Sequence, residues 1–144
     1  MREGIDVLAK HGLTIDDLIE TGFELYVSTP GREGEEEGRE SLREQLSSHL
    51  SDPNVWLMLI AASLLDEMIT SSEGDVHGLK DDPAHLVADE LIGMCIAEYI
   101  AGKRGLFNYI RYDREKPGVI GDLPPFMDDA VGALVAASMT RAFE

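Results

Sequence analysis

The 144-residue sequence predicts an all-α bundle. Three observations carry that expectation: no stretch alternates as a half-buried strand must, glycines and prolines cut the chain into helix-length segments, and three segments are apolar on nearly every face. A chain of this length forms a single domain around one core, residues 1–50 making an N-terminal helical region and residues 51–144 carrying the motifs.

The elements follow in order. A short helix through Asp6 to Lys10 stops at Gly12, and Thr14 with Asp17 three residues on is a capping signal for a second, running to about Tyr26. Ser28 to Gly38, "STPGREGEEEG", reads as a solvated loop, with the acidic run Glu35 to Glu37 inside it. Glu40 to Leu50 is amphipathic, with Leu42, Leu46 and His49 or Leu50 inward. Ser51 and Asp52 cap a helix from Pro53 to about Ser71, whose "VWLMLIAASLLDEMI" places it at the bundle centre with Trp56 as core filler. Asp82 caps the next, with Pro83 in its first turn and an end near Ala101. A shorter helix covers Gly105 to Arg111, Gly118 to Pro125 is loop, and "FMDDAVGALVAASMTRAF" is a last buried helix. Gly93 and Gly132 fall inside helices, where glycine costs about 1 kcal/mol against alanine; close helix packing accounts for both.

Composition narrows the function. Hydrophobic residues are 44%, charged residues 28% and the formal net charge is −16, which makes nucleic acid a poor partner and suits a cytosol of high ionic strength. The single cysteine, Cys95, excludes an internal disulfide framework and fits a reducing cytoplasm. The N-terminus lacks the apolar core of a signal peptide, and the longest apolar run, Val55 to Leu65, falls short of the roughly 20 residues of a membrane span. A cytoplasmic protein with no membrane span is expected, and a homo-oligomer stays open.

Three acidic doublets stand on the apolar helices: Asp66-Glu67, Asp89-Glu90 and Asp128-Asp129. Neighbours on a helix point about 100° apart, so a cluster has to draw on different helices. Two unit charges 4 Å apart repel by roughly 4 kcal/mol at an effective dielectric of 20, so converging carboxylates need protons or a cation. Each doublet also has a plainer reading. Asp128-Asp129 suits the start of its helix, Asp66-Glu67 suits exposure near a helix end, and Asp89-Glu90, about two turns past Pro83, is too deep for a cap. Hard oxygen ligands without a Cys or His set point to Mg²⁺ or Mn²⁺ rather than Zn²⁺. His11, His49, His77 and His85 show no metal-ligand spacing and read as surface or core-edge residues.

The turn "YDREKPG", Tyr112 to Gly118, completes the set. Asp113 joins the carboxylates, while Pro117 restricts the residue before it and Gly118 permits a sharp bend, which aims Lys116 at the same site from its rim. A metal held by carboxylates keeps positions open for phosphate oxygens, and a lysine beside it supplies further countercharge.

"DDPAHLVADELIG", "YDREKPG" and "FMDDAVGALVAA", in that order, resemble the Asp-Pro...Asp-Glu-x-x-Gly, Phe-Asp-x-x-Lys-Pro and Asp-Asp-x-x-Ala-Gly elements of the phosphatidylglycerophosphatase A family. The resemblance runs from about Asp52 to the C-terminus. Tyr112 stands in place of Phe, Val131-Gly132 in place of Ala-Gly, and the glycine-rich N-terminal motif and hydrophobic spans of membrane-bound members are absent. Asp66-Glu67 late in its helix and "KPGVIG" are closer to the soluble branch, which includes archaeal alpha-ribazole phosphatases of cobalamin synthesis.

The resemblance implies a Mg²⁺-dependent phosphomonoesterase acting on a small phosphomonoester, with Asp89, Glu90, Asp128 and Asp129 as metal residues and Asp113 and Lys116 as catalytic ones. Asp66 and Glu67 complete the expected metal set. Alpha-ribazole 5'-phosphate is the expected substrate, and phosphatidylglycerophosphate is the alternative with the same chemistry. A non-catalytic metal- or ligand-binding helical protein is the alternative of another class. Cysteine-phosphatase chemistry is unsupported because Ala101 stands where that motif has arginine after Cys95, and no Arg-His-Gly motif occurs.

Overall fold

The computed structural model describes residues 3–28, 34–71 and 78–144, and these form an all-α domain. The helices are α1 (Glu3–Lys10), α2 (Ile15–Glu24), α3 (Glu35–Leu50), α4 (Pro53–Thr70), α5 (Ala88–Glu115) and α6 (Pro125–Ala142), with 3₁₀ turns at Leu79–Asp81 and Gly118–Asp122. His77 and the segment 29–33 lie outside the described residues.

Local chemistry sets the boundaries. Gly12, in the left-handed region at φ 74°, ends α1. At α2 the Asp17 N–H donates to Thr14 Oγ1 (3.2 Å) and the Thr14 N–H to Asp17 Oδ2 (2.9 Å), a reciprocal capping box. Asp52 Oδ1 accepts from the Asn54 N–H at 2.9 Å to cap α4, with Pro53 in the first turn. The acidic run corrects the loop expectation, because Glu35, Glu36 and Glu37 form the first turn of α3, where they favour the positive end of the helix dipole. Leu42, Leu46 and Leu50 face inward, and His49 is half-buried.

The centre belongs to α6 alone. From Pro125 to Met139 every residue except Asp128 is buried, and the small residues Ala130, Ala133, Ala136, Ala137 and Ser138 let neighbouring axes come close. Helices α2, α3, α4 and α5 all pack on it. α4 is not central as expected: Leu57, Leu64 and Met68 are exposed, and Trp56 is only half-buried and outside the core cluster.

The helix expected to begin at Pro83 begins at Ala88. Gly78 (φ 70°) and Asp82 (φ 51°) are left-handed, and Leu86 closes a turn on Pro83, so the helix cannot run back through them. α5 is also not buried on every face, since Leu91 and Tyr99 are about half exposed. It breaks at Ala101 and at Gly102 (φ 62°) and doubles back. A side chain at Gly93 would strike the Tyr109 hydroxyl, and one at Gly105 would lie 2.6 Å from the Ala97 carbonyl oxygen, so the two arms run antiparallel in close contact. The two separate helices expected on either side of Ala101 are these arms.

The two interior glycines therefore differ. A Cβ at Gly93 would also come within 3.0 Å of the Asp129 carbonyl oxygen, whereas at Gly132 the nearest atom would be Ile120 Cδ1 at 3.7 Å, so close packing does not explain Gly132. Gly93→Ala is expected to destabilise by about 1–3 kcal/mol through overpacking. Gly132→Ala is expected to stabilise by about 1 kcal/mol through helix propensity. Urea unfolding checks the contrast, and equal midpoints for the two variants would contradict it.

The histidines that are half-buried couple folding to pH. His11 Nε2 lies 2.8 Å from Ser63 Oγ, and His49 Nε2 lies 3.2 Å from Gln45 Oε1. Burial lowers both pKa values below 6.5, and Arg141 lowers His49 further. The unfolded chain then binds protons that the native state refuses, so stability is lost as pH falls through 6.5. Thermal unfolding of a His11→Gln/His49→Gln variant should show a smaller acid-side loss than the wild type; an identical pH profile would exclude the coupling.

Candidate metal and phosphate site

The hairpin in α5 decides which acids meet. Its corner at Ala101 and Gly102 lies midway between Asp89 and Asp113, so the first turn of one arm and the last turn of the other come to the same end of the bundle. The first turn of α6, with Asp128 and Asp129, starts there too. Ligand oxygens of Asp113, Asp128 and Asp129 lie within 4.8 Å of one another. Asp89 and Asp129 are each only 2% exposed, and both Asp89 and Asp113 stand within hydrogen-bonding range of Asp129.

Several features hold this arrangement. Tyr109 Oη, from the second arm of α5, donates to Asp129 Oδ1 at 2.6 Å in the interior. The Tyr112 hydroxyl donates to the Gly22 carbonyl at 2.6 Å, pinning the same arm to α2. α2 also carries the turn after α5: Glu24 Oε2 accepts from the Gly118 N–H (2.8 Å) and Thr21 Oγ1 from the Val119 N–H (3.2 Å). Lys116 takes the left-handed conformation at φ 50°, immediately before a proline that disfavours helical backbone. Its ammonium donates to Asp113 Oδ1 (2.8 Å) and Asp128 Oδ1 (2.9 Å), so it sits between two carboxylates rather than on the rim. The only non-glycine residues of positive φ among those described, Asp82 and Lys116, both belong to this site.

Electrostatics show the strain. Burial raises the carboxyl pKa of both Asp128 and Asp129; Lys116 opposes the rise at Asp128, while neighbouring carboxyls reinforce it at Asp129. Glu90 and Asp82 are raised by partial desolvation and then by the acids around them. Burial works against the charge on Lys116, but its bonds to Asp113 and Asp128 outweigh burial and raise its pKa. Among the described residues Lys116 is the ammonium that acts on Asp82, Glu90, Asp113 and Asp128, while Asp89 and Asp129 lie buried beside them. Asp89 Oδ1, fully buried, finds no hydrogen-bond partner among the described residues. An all-oxygen donor set with an orphaned buried carboxylate oxygen fits a hard divalent cation.

The remaining doublet does other work. Asp66 Oδ1 and Oδ2 accept from the Phe126 and Met127 N–H groups at 2.8 and 2.7 Å, capping α6 from a neighbouring helix. Glu67 is exposed and pairs with Lys10 at 2.5 Å. Neither joins the Asp113, Asp128 and Asp129 cluster. Two members of the site were not among the expected residues. Asp82 was read as a cap, although its pairing with Pro83 in "DDP" was a signal for it, and Tyr109 had no signal beyond its place on a helix. Asp89-Glu90 falls in a first turn and not two turns deep. A cleft of about 310 Å³ lined by Tyr26, Asn108, Arg111 and Met139 includes none of these acids.

The chain resembles known proteins in sequence and in fold. The chain is 40% identical over 134 residues to an uncharacterized protein of Methanocaldococcus jannaschii, covering 88% of this chain and all of the relative. The low temperature requirement C protein of Listeria monocytogenes shares the fold with a TM-score of 0.79 at 25% identity, over 96% of this chain and 91% of that one. The protein ypjQ of Bacillus subtilis does so with a TM-score of 0.74 at 26% identity, over 96% and 89%. A family model described as phosphatidylglycerophosphatase A matches residues 5–144. With nearly its whole length matched, the chain belongs to the phosphatidylglycerophosphatase A family.

Proposed function

We propose that this phosphatase-family chain is a Mg²⁺-dependent phosphomonoester hydrolase acting on alpha-ribazole 5'-phosphate. The observation that carries the metal dependence is the meeting of Asp113, Asp128 and Asp129 beside the unpartnered oxygen of Asp89. Asp89, Asp113, Asp128 and Asp129 would hold the ion, with Asp82 and Glu90 at its edge. A bound Mg²⁺ supplies charge to the phosphoryl oxygens and lowers the pKa of an attacking water. Lys116 exchanges a carboxylate for a nonbridging oxygen of the substrate and neutralises it. Tyr109 bonds Asp129, and Asp113, which is partly exposed, would take the proton of the water.

Two observations favour a small soluble substrate over a lipid one. No described helix is long and apolar enough to cross a membrane, and a net charge of −16 repels an anionic lipid surface. The family name supports phosphatidylglycerophosphate as the second reading. A phosphate-release panel of alpha-ribazole 5'-phosphate, phosphatidylglycerophosphate and simple nucleotides decides between them. The highest kcat/KM is expected for the first, and a preference for the lipid would overturn the substrate assignment.

Mg²⁺ at about 100 times its Kd is expected to stabilise the native state by about 2.7 kcal/mol. Asp129→Asn should melt above the wild type without Mg²⁺ at neutral pH, because folding no longer has to protonate this buried carboxyl, and should lose the Mg²⁺ shift. An unshifted wild type that releases no phosphate from any monoester would leave the non-catalytic helical protein as the reading. In steady-state assays Asp89→Asn and Asp113→Asn are expected to lower kcat by about 1,000-fold or more, and Lys116→Ala by about 10² to 10³. Unchanged kcat/KM in Lys116→Ala would remove the lysine from the chemistry.

A further inference from the structure

α4 and the first arm of α5 lie side by side and antiparallel. Asn54 and Asp52 at the start of α4 bond the Tyr99 hydroxyl at 2.9 and 2.8 Å, and Asp66 near its other end feels the charge of Asp89. Their inner faces pack on α6, while Leu57, Leu64 and Met68 of α4 and Leu91 of α5 stand 53 to 56% exposed on the outer side. Ala61 and Cys95 are exposed there too, and Pro53 to Leu65 include no charged residue, in a chain of which 28% is charged.

We propose that this outer face of α4 and α5 is the interface of a symmetric homodimer, a second copy of the chain laying the same helix pair against it. The charge of the molecule selects the occupant. Two chains of −16 each approach with least repulsion along the uncharged stretch Pro53 to Leu65, with the exposed Glu67 and Glu98 at the margin of the patch, and a two-fold axis pairs that stretch with itself without requiring an opposite sign. The area agrees: with Met94, Val87 and Tyr99 the patch offers roughly 600 Å² of apolar surface, at the top of what monomers show and near the roughly 800 Å² per partner of stable interfaces.

Light scattering coupled to size exclusion tests this at about 100 µM protein and about 1 M NaCl, where charges are screened beyond about 3 Å. Twice the 15.8 kDa monomer mass is expected for the wild type. Leu64→Glu and, separately, Leu91→Lys should each weaken association at least about 30-fold, with far-ultraviolet circular dichroism unchanged because both side chains are already half exposed. A wild-type monomer under these conditions overturns the proposal, including one that floats with phosphatidylglycerol vesicles. A dimer that survives both substitutions in folded protein overturns it equally.

Discussion

Mutual repulsion among carboxylates at the start of α6 is the constraint on which the rest of the structure turns. Asp113, Asp128 and Asp129 bring their oxygens within 4.8 Å of one another, and Asp89 is buried against Asp129 with one oxygen unpartnered. At an effective dielectric of 20, each pair at such distances opposes folding by about 4 kcal/mol, and domain stabilities are only about 5–15 kcal/mol. Protons or cations must therefore occupy the cluster. Among the described residues Lys116 is the one ammonium bonded to it, and that single positive charge does not balance the acids gathered there.

The architecture holds those charges in place. α6 is an apolar rod of small residues that accepts neighbours on every side, which anchors Asp128 and Asp129 at a fixed level. The hairpin of α5 delivers Asp89 and Asp113 to that level from opposite ends of one element, and its closeness depends on Gly93 and Gly105. Asp66 spends both oxygens on the first free N–H groups of α6, so the helix end is rigid without help from any ligand. α2 closes the arrangement by bonding the turn after Lys116, and the described part of the N-terminal region thereby supports the site without contributing an acid to the cluster of Asp113, Asp128 and Asp129.

Much of this was readable from residue types alone, and the failures have physical reasons. The all-α class, the capping box at Thr14 and the last buried helix follow from periodicity and local hydrogen-bonding chemistry, which act over a few residues. Placing α4 at the centre failed because an apolar sequence does not say whether the outer face of its helix is covered, and here Leu57, Leu64 and Met68 are exposed. The start of α5 failed because Asp82 supplies a capping side chain yet sits in a left-handed conformation that ends local structure instead. Of the candidate site, Asp89, Glu90, Asp128 and Asp129 were legible as charges out of place on apolar segments, and Asp113 and Lys116 through the turn "YDREKPG". Tyr109 joins them only through the way α5 folds back, a long-range fact that no window of sequence contains, whereas the signal for Asp82 lay in "DDP".

The same logic ranks the acids. Asp129, buried and bonded to Tyr109, has no route to solvent for its charge, while Glu67 already has Lys10 and open water. A spectroscopic titration with Mn²⁺, whose paramagnetic resonance is lost from the free-ion signal on binding, reads the cluster directly. Saturable uptake of Mn²⁺ by the wild type and by Glu67→Gln, abolished in Asp129→Asn, is the predicted result. Mn²⁺ that stays free in the presence of excess wild-type protein, or uptake that survives in Asp129→Asn, would contradict a cation site built on these carboxylates.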